Sequence, residues 1–215
     1  MNPTMDIRTI QLIASFDRPT KHGKLRVRAY MKNGGIAFAI SRGEFPKEDA
    51  LVRVQSPCLF GESFGVNSCD CAAQLDEALR RGSQESSFLL VYCLDQEGRG
   101  LGMLQKIQAV AFEVNNGVTM AEAFDQLKLP VDIRDYTFAS EIVKEINGDL
   151  PIRLLTNYPK KIAALTELGI TITKREPLLI PPPNPECRRY LTTKKEAFGH
   201  LIPDELLATS DAVGR

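Results

Sequence analysis

The chain has 215 residues, of which 43% are apolar and 25% charged, and this ordinary globular composition excludes the collagen-like and disordered classes. Lys and Arg together number 27, as do Asp and Glu, so no overall basic field favours duplex nucleic acid or an anionic membrane as a partner. Any anion must therefore be bound by a local group of donors. The chain has five Cys, two His and no Trp.

The N-terminal stretch does not look like a secretion signal, because Asp6 and Arg8 interrupt it and nothing in it resembles a cleavage site. The longest apolar run, residues 88–94, is too short for a membrane helix, which needs about 20 residues. We therefore expect a soluble, cytoplasmic protein, in which clustered thiols serve metals or catalysis more often than disulfides.

The first half of the chain predicts strands with one helix between them. Alternating or continuous apolar residues predict strands at 25–30, 36–40, 51–54 and 88–94. The Asn-Gly pair at residue 33 is typical of a hairpin turn, and a helical apolar spacing predicts a helix over 71–81. Since the run at 88–94 is apolar on both faces, we expect a sheet that is covered on both sides.

The second half alternates helices with strands. Helices are predicted at 103–114, 121–127, 138–146 and 160–168, and strands at 152–155 and 170–173. The proline-rich residues 180–186 predict a loop, and the tail after Pro203 is expected to be frayed. These elements predict an α/β (α+β) fold in which a mostly β N-terminal part precedes alternating strands and helices.

Three cysteines give the strongest local signal. Cys69 and Cys71 lie one residue apart, and Cys58 precedes them across a loop that contains glycines. Three such thiolates can hold a tetrahedral zinc ion with one position open, as in catalytic sites. Two alternatives stand beside this one: Cys93 or Cys187 supplies a fourth ligand and closes a structural site, or the thiols are simply small buried hydrophobes.

A glycine-rich segment follows the strand predicted at 88–94. Residues 96–102 read Gln-Glu-Gly-Arg-Gly-Leu-Gly and lie between a strand and a helix, where backbone N–H groups can approach a phosphate. Arg99 adds a planar guanidinium that suits phosphate. The spacing matches neither the dinucleotide-binding nor the Walker pattern, so the alternative is a plain turn.

Asp132 and Arg134 form a dense charged cluster. Being two residues apart, they face the same way in an extended segment, where Asp132 can accept a proton and Arg134 can bind an anion. The alternative is a solvated surface ion pair.

Thr156 and Lys161 lie between a predicted strand and a predicted helix, where hydroxyl and ammonium groups can contact phosphate. The alternative is an ordinary helix cap beside a surface lysine pair. His22 and His200 lie in unremarkable contexts, and we expect both to be structural or solvated.

Together, these motifs resemble the GTP cyclohydrolase II family, zinc enzymes that open guanine at the entry to riboflavin synthesis. The resemblance is carried by the cysteine motif at 58–75, the glycine-rich segment at 96–102, Asp-x-Arg-Asp at 132–135, Arg-Leu-Leu-Thr-Asn-Tyr-Pro-Lys-Lys at 153–161 and Gly-His-Leu at 199–201. It implies one catalytic domain over residues 19–202, built around a mixed sheet. Residues 1–18 would be an N-terminal extension and residues 203–215 the frayed tail.

The resemblance also implies roles for individual residues. Cys58, Cys69 and Cys71 would hold one zinc ion per chain, which would activate the water that attacks the guanine ring, with release of formate. Asp132 would accept a proton and Arg134 would attack the α-phosphorus and expel pyrophosphate, while Mg²⁺ neutralises the phosphates. The expected partners are GTP or a related purine nucleotide and a second copy of the chain, in a homodimer. The residues implied to contact the nucleotide are Arg53, Val54, Gln55, Ser56, Pro57, Gln74, Glu97, Gly98, Arg99, Thr119, Thr156 and Lys161.

Several positions depart from the family pattern, among them Gln55, Phe60 and Glu62, where the family has His, Thr and Asp. Three further departures bear directly on the reaction. Pro57 stands where the family has Glu, Ser68 where a basic residue precedes the second zinc ligand, and Val110 where the family has a tyrosine close to the reacting base. One alternative is therefore an enzyme whose ring opening stops at the formamidopyrimidine nucleotide, or which acts on another purine nucleotide in a specialised pathway. The other is a zinc-stabilised nucleotide-binding protein without turnover.

Overall fold

The computed structural model describes residues 8–208, which are arranged around a sheet of seven strands. The strands are β1 (Gln11–Thr20), β2 (Gly23–Lys32), β3 (Gly35–Arg42), β4 (Ala50–Gln55), β5 (Phe88–Cys93), β6 (Ile152–Leu155) and β7 (Ile172–Glu176). The helices are α1 (Leu59–Glu62), α2 (Cys71–Gly82), α3 (Met103–Asn116), α4 (Met120–Gln126), α5 (Thr137–Asn147), α6 (Pro159–Glu167), α7 (Pro185–Glu196) and α8 (Asp204–Leu207). A 3₁₀ segment at Leu94–Gly100 follows β5. None of the helices in this part of the chain combines the length and hydropathy needed to cross a bilayer.

The sheet is mixed, with strand order β1-β2-β3-β5-β4-β6-β7. The first three strands and β5 pair antiparallel, whereas β5, β4, β6 and β7 run parallel to one another. Asn33 and Gly34 have positive φ values of 50° and 79° in the turn between β2 and β3, as predicted for a hairpin. The predicted α/β fold with a mostly β N-terminal part is therefore confirmed.

The parallel half of the sheet is covered on both faces. Leu89 and Val91 of β5 face the larger core, where α5 and α6 pack, while Leu90 faces a smaller core under α2. The connection from β4 to β5 and the connection from β5 to β6 thus place helices on opposite faces. In such sheets a crevice opens at the carboxyl ends of the strands where the strand order reverses, here beside β4.

Several elements differ from the sequence prediction. β1 begins at Gln11, so the expected domain boundary at residue 19 falls inside a strand. Nearly all of β1 is exposed, so neither face of the strand needs an apolar residue at every second position, and its sequence lacks the alternation that would identify it. β7 lies slightly later than the strand predicted at 170–173, and α8 falls in the expected tail.

The loop predicted at 180–186 is wrong for its last residues, because α7 begins at Pro185. The Asn184 side chain accepts a hydrogen bond from the backbone N–H of Cys187 (2.8 Å) and so caps this helix. Proline is tolerated in the first turn of a helix, where its missing N–H is not needed. The proline signal therefore marks the start of a helix at this position.

Gly34 and Gly43 flank β3 and provide a matched test of packing at the two ends of this strand. Both have φ near +80°, but a Cβ on Gly43 would lie 1.9 Å from the Ser86 carbonyl oxygen, whereas one on Gly34 would meet nothing within 4 Å. We expect Gly34→Ala to lower the free energy of unfolding by roughly 1–2 kcal/mol through backbone strain. Gly43→Ala should lower it by about 1–3 kcal/mol more. Urea unfolding measures both, and equal losses would contradict the packing account.

Candidate metal centre and anion pocket

The three predicted thiols converge in the folded chain. The sulfur atoms of Cys58, Cys69 and Cys71 all lie within 4.8 Å of one another. Cys58 immediately precedes α1 and Cys71 is the first residue of α2, so the starts of two helices bring the thiols together. Three sulfurs on a tetrahedral zinc ion, each about 2.3 Å from the metal, would be about 3.8 Å apart. The cluster therefore fits zinc in both spacing and donor type.

Neither Cys93 nor Cys187 joins this group, and no other Cys, His, Asp or Glu within residues 8–208 completes it. Cys93 is buried in the larger core, and Cys187 packs in a separate apolar cluster with Leu191 and Ile202. The alternative of a closed site with a fourth cysteine ligand is therefore wrong for this arrangement. Three thiols leave one coordination position open.

The pKa values of the three thiols are shifted in different directions. Hydrogen bonds from Cys69 and Cys71 lower the pKa of Cys58, and the same bonds raise the pKa of Cys69 and of Cys71. A metal ion must therefore displace protons from the latter two, and its affinity rises with pH. Gly61 leaves room for the cluster, since a Cβ there would lie 3.0 Å from the Cys69 sulfur.

Lys106 and Glu97 lie beside the thiols. The Lys106 ammonium donates to the Cys58 sulfur (3.3 Å) and pairs with the Glu97 carboxylate. Glu97 is 8% exposed and also accepts the backbone N–H of Leu59 (3.0 Å) at the start of α1. Sequence reasoning missed Lys106, whose contact depends on how α3 packs against the cluster.

Part of the backbone of the glycine-rich segment is already hydrogen-bonded within its own turn. The N–H of Gly98 bonds to the Glu97 carboxylate (3.1 Å), and those of Leu101 and Gly102 bond to backbone carbonyls of residues 98 and 97. These three N–H groups are therefore occupied within the turn. The same segment also carries Arg99, whose side chain can contribute to an anion site.

Arg99 carries a guanidinium that is mostly buried but lacks a full set of hydrogen-bond and ion-pair partners. It stacks over Phe198, 3.7 Å from the ring centroid, and lies 4.0 Å from the Asp132 carboxylate. Its Nη1 is buried without a hydrogen-bond partner, and burial lowers the pKa of the group. A buried N–H donor of this kind is suited to bind an incoming anion.

Asp132 and Arg134 form a buried pair, so the alternative of a solvated surface pair is wrong. Their side chains are 11% and 9% exposed, and Arg134 holds both carboxylate oxygens, with Nε 2.9 Å from Oδ1. Tyr158 donates its hydroxyl to Oδ2 (2.9 Å). Burial raises the pKa of Asp132, but the hydrogen bonds and charge of Arg134 outweigh it and lower the pKa to about 2.

Two further nitrogen bases, Lys161 and His200, have lowered pKa values in the same region. Lys161 is 4% exposed and donates to the Val54 carbonyl (2.6 Å), and burial beside Arg53 and Arg134 holds its pKa well below its ordinary value. His200 stacks on Tyr158 with centroids 4.5 Å apart, and burial together with nearby cations lowers its pKa to about 2. His200 reaches this region through tertiary packing, since its neighbours here come from distant segments.

Two neighbouring cavities, which share five lining residues, bring these groups together. A polar pocket of about 160 Å³ contains the cations, and an adjoining, more apolar chamber of about 660 Å³ lies between α3 and α7. The residues that line both are Cys58, Lys106, Val110, Met120 and Tyr190. Besides Cys58 and Cys71, the expected site residues that line the polar pocket are Arg53, Gln55, Ser56, Pro57, Gln74, Glu97, Gly98, Arg99, Val110, Arg134, Thr156 and Lys161.

Three expected site residues do not line either cavity. Val54 lies in the core of β4 and meets the site only through its carbonyl. Thr119 caps α4, where its hydroxyl accepts from the backbone N–H of Glu122 (3.2 Å). Asp132 lies behind the lining and contacts the pocket through the side chains of Arg134 and Tyr158.

Comparison with known proteins gives a consistent match. A family model for GTP cyclohydrolase II matches residues 11–177. GTP cyclohydrolase-2 of Streptomyces coelicolor is 40% identical over 187 residues, which cover 86% of this chain and 83% of that protein. Riboflavin biosynthesis protein RibBA of Aquifex aeolicus is 37% identical over 196 residues, which cover 90% of this chain and 48% of that protein. The chain thus spans about half the length of that relative.

Among solved structures, RibBX, a two-domain 3,4-dihydroxy-2-butanone 4-phosphate synthase from A. baumannii, aligns with 79% of this chain and 40% of that chain. The sequence identity is 14% and the TM-score is 0.46, which is too low to show a shared fold.

Asp132→Asn tests the buried ion pair. The folded pKa of about 2 lies below the ordinary value of 3.8, so the ionised pair stabilises the fold above about pH 4 and this stabilisation is lost as the pH falls towards 2. We expect the variant to be less stable than the native protein at pH 7, by a margin that shrinks between pH 4 and pH 2. Urea unfolding over that range measures it, and a margin independent of pH would contradict the assignment.

Proposed function

The chain belongs to the GTP cyclohydrolase II family, whose members are hydrolases that act on GTP, and we propose that it opens the imidazole ring of GTP. The proposed reaction releases formate and pyrophosphate and leaves a 2,5-diamino-6-ribosylamino-pyrimidinone 5′-phosphate. Riboflavin biosynthesis, the process in the name of the Aquifex relative, is the proposed pathway. A cytoplasmic homodimer is the proposed form of the enzyme.

The observation that carries this proposal is the junction of the thiol cluster with the pocket of buried cations. Cys58, Lys106 and Val110 line both cavities at that junction. Pockets for ligands of nucleotide size measure about 300–1,000 Å³, so the polar pocket alone is too small. A purine triphosphate would extend through the junction, with its phosphates on Arg99 and Arg134 and its base beside the thiols.

A zinc ion bound by these thiolates would supply a Lewis acid that brings the pKa of a water molecule close to neutrality. The surrounding side chains support that role. Lys106 donates to Cys58 and offsets part of the negative charge that three thiolates would bring together. Glu97 holds Lys106 in place and links it to the start of α1, so the ammonium cannot move away from the sulfur.

Arg134 is best suited to bind and stabilise negative charge at the phosphates. Its Nε and Nη2 are held by Asp132, and its Nη1 donates to Ser56 Oγ (3.2 Å). With a pKa of about 2, Asp132 is ionised at neutral pH but is a weak base, so its contacts favour orienting Arg134 over accepting a proton. The proposal therefore assigns Arg99 and Arg134 to charge stabilisation as pyrophosphate departs, in place of the nucleophilic attack that the resemblance implies.

Magnesium would enter this site with the substrate. Mg²⁺ is commonly held by one or two carboxylates together with substrate phosphates. Glu97 and Asp132, the carboxylates beside the polar pocket, are already paired with Lys106 and Arg134. The proposal therefore places Mg²⁺ on the phosphates rather than on either of these side chains.

A second candidate reaction stops after ring opening and leaves a formamidopyrimidine nucleotide. Val110 favours it, because this side chain lines both cavities next to Cys58 and Lys106, where the family tyrosine would place a hydroxyl. Valine has no group that can orient water or a leaving group. Hydrolysis of the formamide would then lack one of its donors.

The proposal is tested by incubating zinc-loaded protein with GTP and Mg²⁺. We expect a new ultraviolet chromophore and release of pyrophosphate. Cys58→Ala should abolish ring opening while the fold is kept, because it removes one of three metal ligands. Cys187→Ala is the matched control, since this thiol lies in a separate apolar cluster, and it should retain turnover.

Release of neither pyrophosphate nor a ring-opened product by the native protein would reject the proposal. If the native protein binds nucleotide without turnover and Cys58→Ala has the same nucleotide affinity, the result would instead support a nucleotide-binding protein that is not an enzyme.

The mass of the product decides between the two reactions. Formate in equal amount to the product supports the full reaction and rejects the second candidate. A product that keeps the formyl carbon supports the second candidate, and Val110→Tyr should then increase formate release. Val114→Tyr is the control, because Val114 lies one turn further along α3, is 70% exposed and lines only the apolar chamber.

A further inference from the structure

Asp70 is buried between two members of the thiol cluster. It lies in the chain between Cys69 and Cys71, and it is 3% exposed. One carboxylate oxygen accepts from the ammonium of Lys194 in α7, and the other accepts from the side-chain amide of Gln74. A buried charge without such partners is strongly unfavourable, so the cluster depends on them.

A continuous chain of hydrogen bonds runs from Asp70 behind the sulfurs to the third thiol residue. Its members in order are Asp70, Gln74, Arg53, Gln55, Glu62 and Cys58. Arg53 donates to both amide side chains at 3.0 Å, and the backbone N–H of Glu62 donates to the Cys58 carbonyl at 2.8 Å. The chain thus connects the two segments that carry the thiols.

The α7 helix contacts the loop before α2 at both of its ends. Near its start, the Asn184 amide donates to the Asn67 carbonyl (3.0 Å), and near its end Lys194 pairs with Asp70. Lys194 is itself 8% exposed, so this is a buried pair. The helix lies beyond residues 11–177, the part that the family model matches, yet it supplies this contact.

We propose that Lys194 is a positioning residue for the metal centre, which it holds in its three-thiol geometry by pairing with Asp70. The inference rests on the metal site of the proposed function. Residues that hold metal ligands in position matter for affinity, and their loss typically weakens metal binding about 10- to 100-fold. Here the partner comes from a helix more than a hundred residues away in the chain and neutralises a carboxylate that adjoins two thiolates.

The test uses the full chain loaded with Co²⁺, whose absorption reports the number and arrangement of thiolate ligands. Lys194→Met keeps the length of the side chain and removes its charge. We expect the thiolate-to-cobalt bands to shift or weaken, and metal transfer to a chelator to be at least about tenfold faster than in the native protein. With GTP, kcat should fall while KM changes little.

Lys195→Met is the matched control, because Lys195 is the next residue of α7 and pairs with Asp204 at the surface. It should leave the cobalt spectrum, the metal dissociation rate and turnover unchanged. Asp70→Asn combined with Lys194→Met removes the unpaired charge, so it should recover thermal stability. The double variant should still show the altered spectrum and fast metal loss, because the charged contact is not restored.

Each outcome bears on a different claim. An unchanged spectrum and dissociation rate in Lys194→Met overturn the positioning role. Full recovery of stability, spectrum and metal retention together in the double variant also overturns it, since Lys194 would then only compensate a buried charge. Failure of the native protein to bind metal rejects the metal site of the proposed function. A native protein that binds metal but does not convert GTP rejects the reaction and leaves the positioning role standing.

Discussion

The site depends on the carboxyl ends of three neighbouring parallel strands, which position its central groups. β5, β4 and β6 are adjacent and run in the same direction, so the segments that follow them emerge at one edge of the sheet. These segments carry Cys58 after β4, Arg99 after β5 and Lys161 after β6. Because helices cover the two faces of the sheet on opposite sides of β4, a crevice opens at that edge. The metal centre and the anion pocket both occupy it.

Burial of cations is the main electrostatic feature of the crevice. The whole chain has no net charge, yet this one region holds several basic side chains away from water. Burial lowers the pKa of Arg53 to about 10 and holds that of Lys161 well below its ordinary value. Asp132, Glu97 and Asp70 compensate part of the charge. Arg99 keeps a buried donor without a partner, which is typical of sites that await a ligand of opposite charge.

Much of the fold could be predicted from local patterns, and the exceptions have clear causes. Strands buried on two faces and amphipathic helices produce strong periodicity, so β4, β5, α2 and α5 were found close to their actual bounds. The edge strand β1 has little burial and therefore no pattern to read. In α7, the same prolines that suggested a loop begin a helix, because Asn184 caps it.

The residue types and their local spacings follow from the sequence alone: the three thiols, the guanidinium in a strand-to-helix turn, and the Asp132–Arg134 pair. Tertiary packing adds that this pair is buried, that His200 stacks on Tyr158, and that Lys194 meets Asp70 across 124 positions. The physical reason is that periodicity reports which face of one element is buried. It does not report which distant side chains share that burial, because this depends on how helices pack at the edge of the sheet.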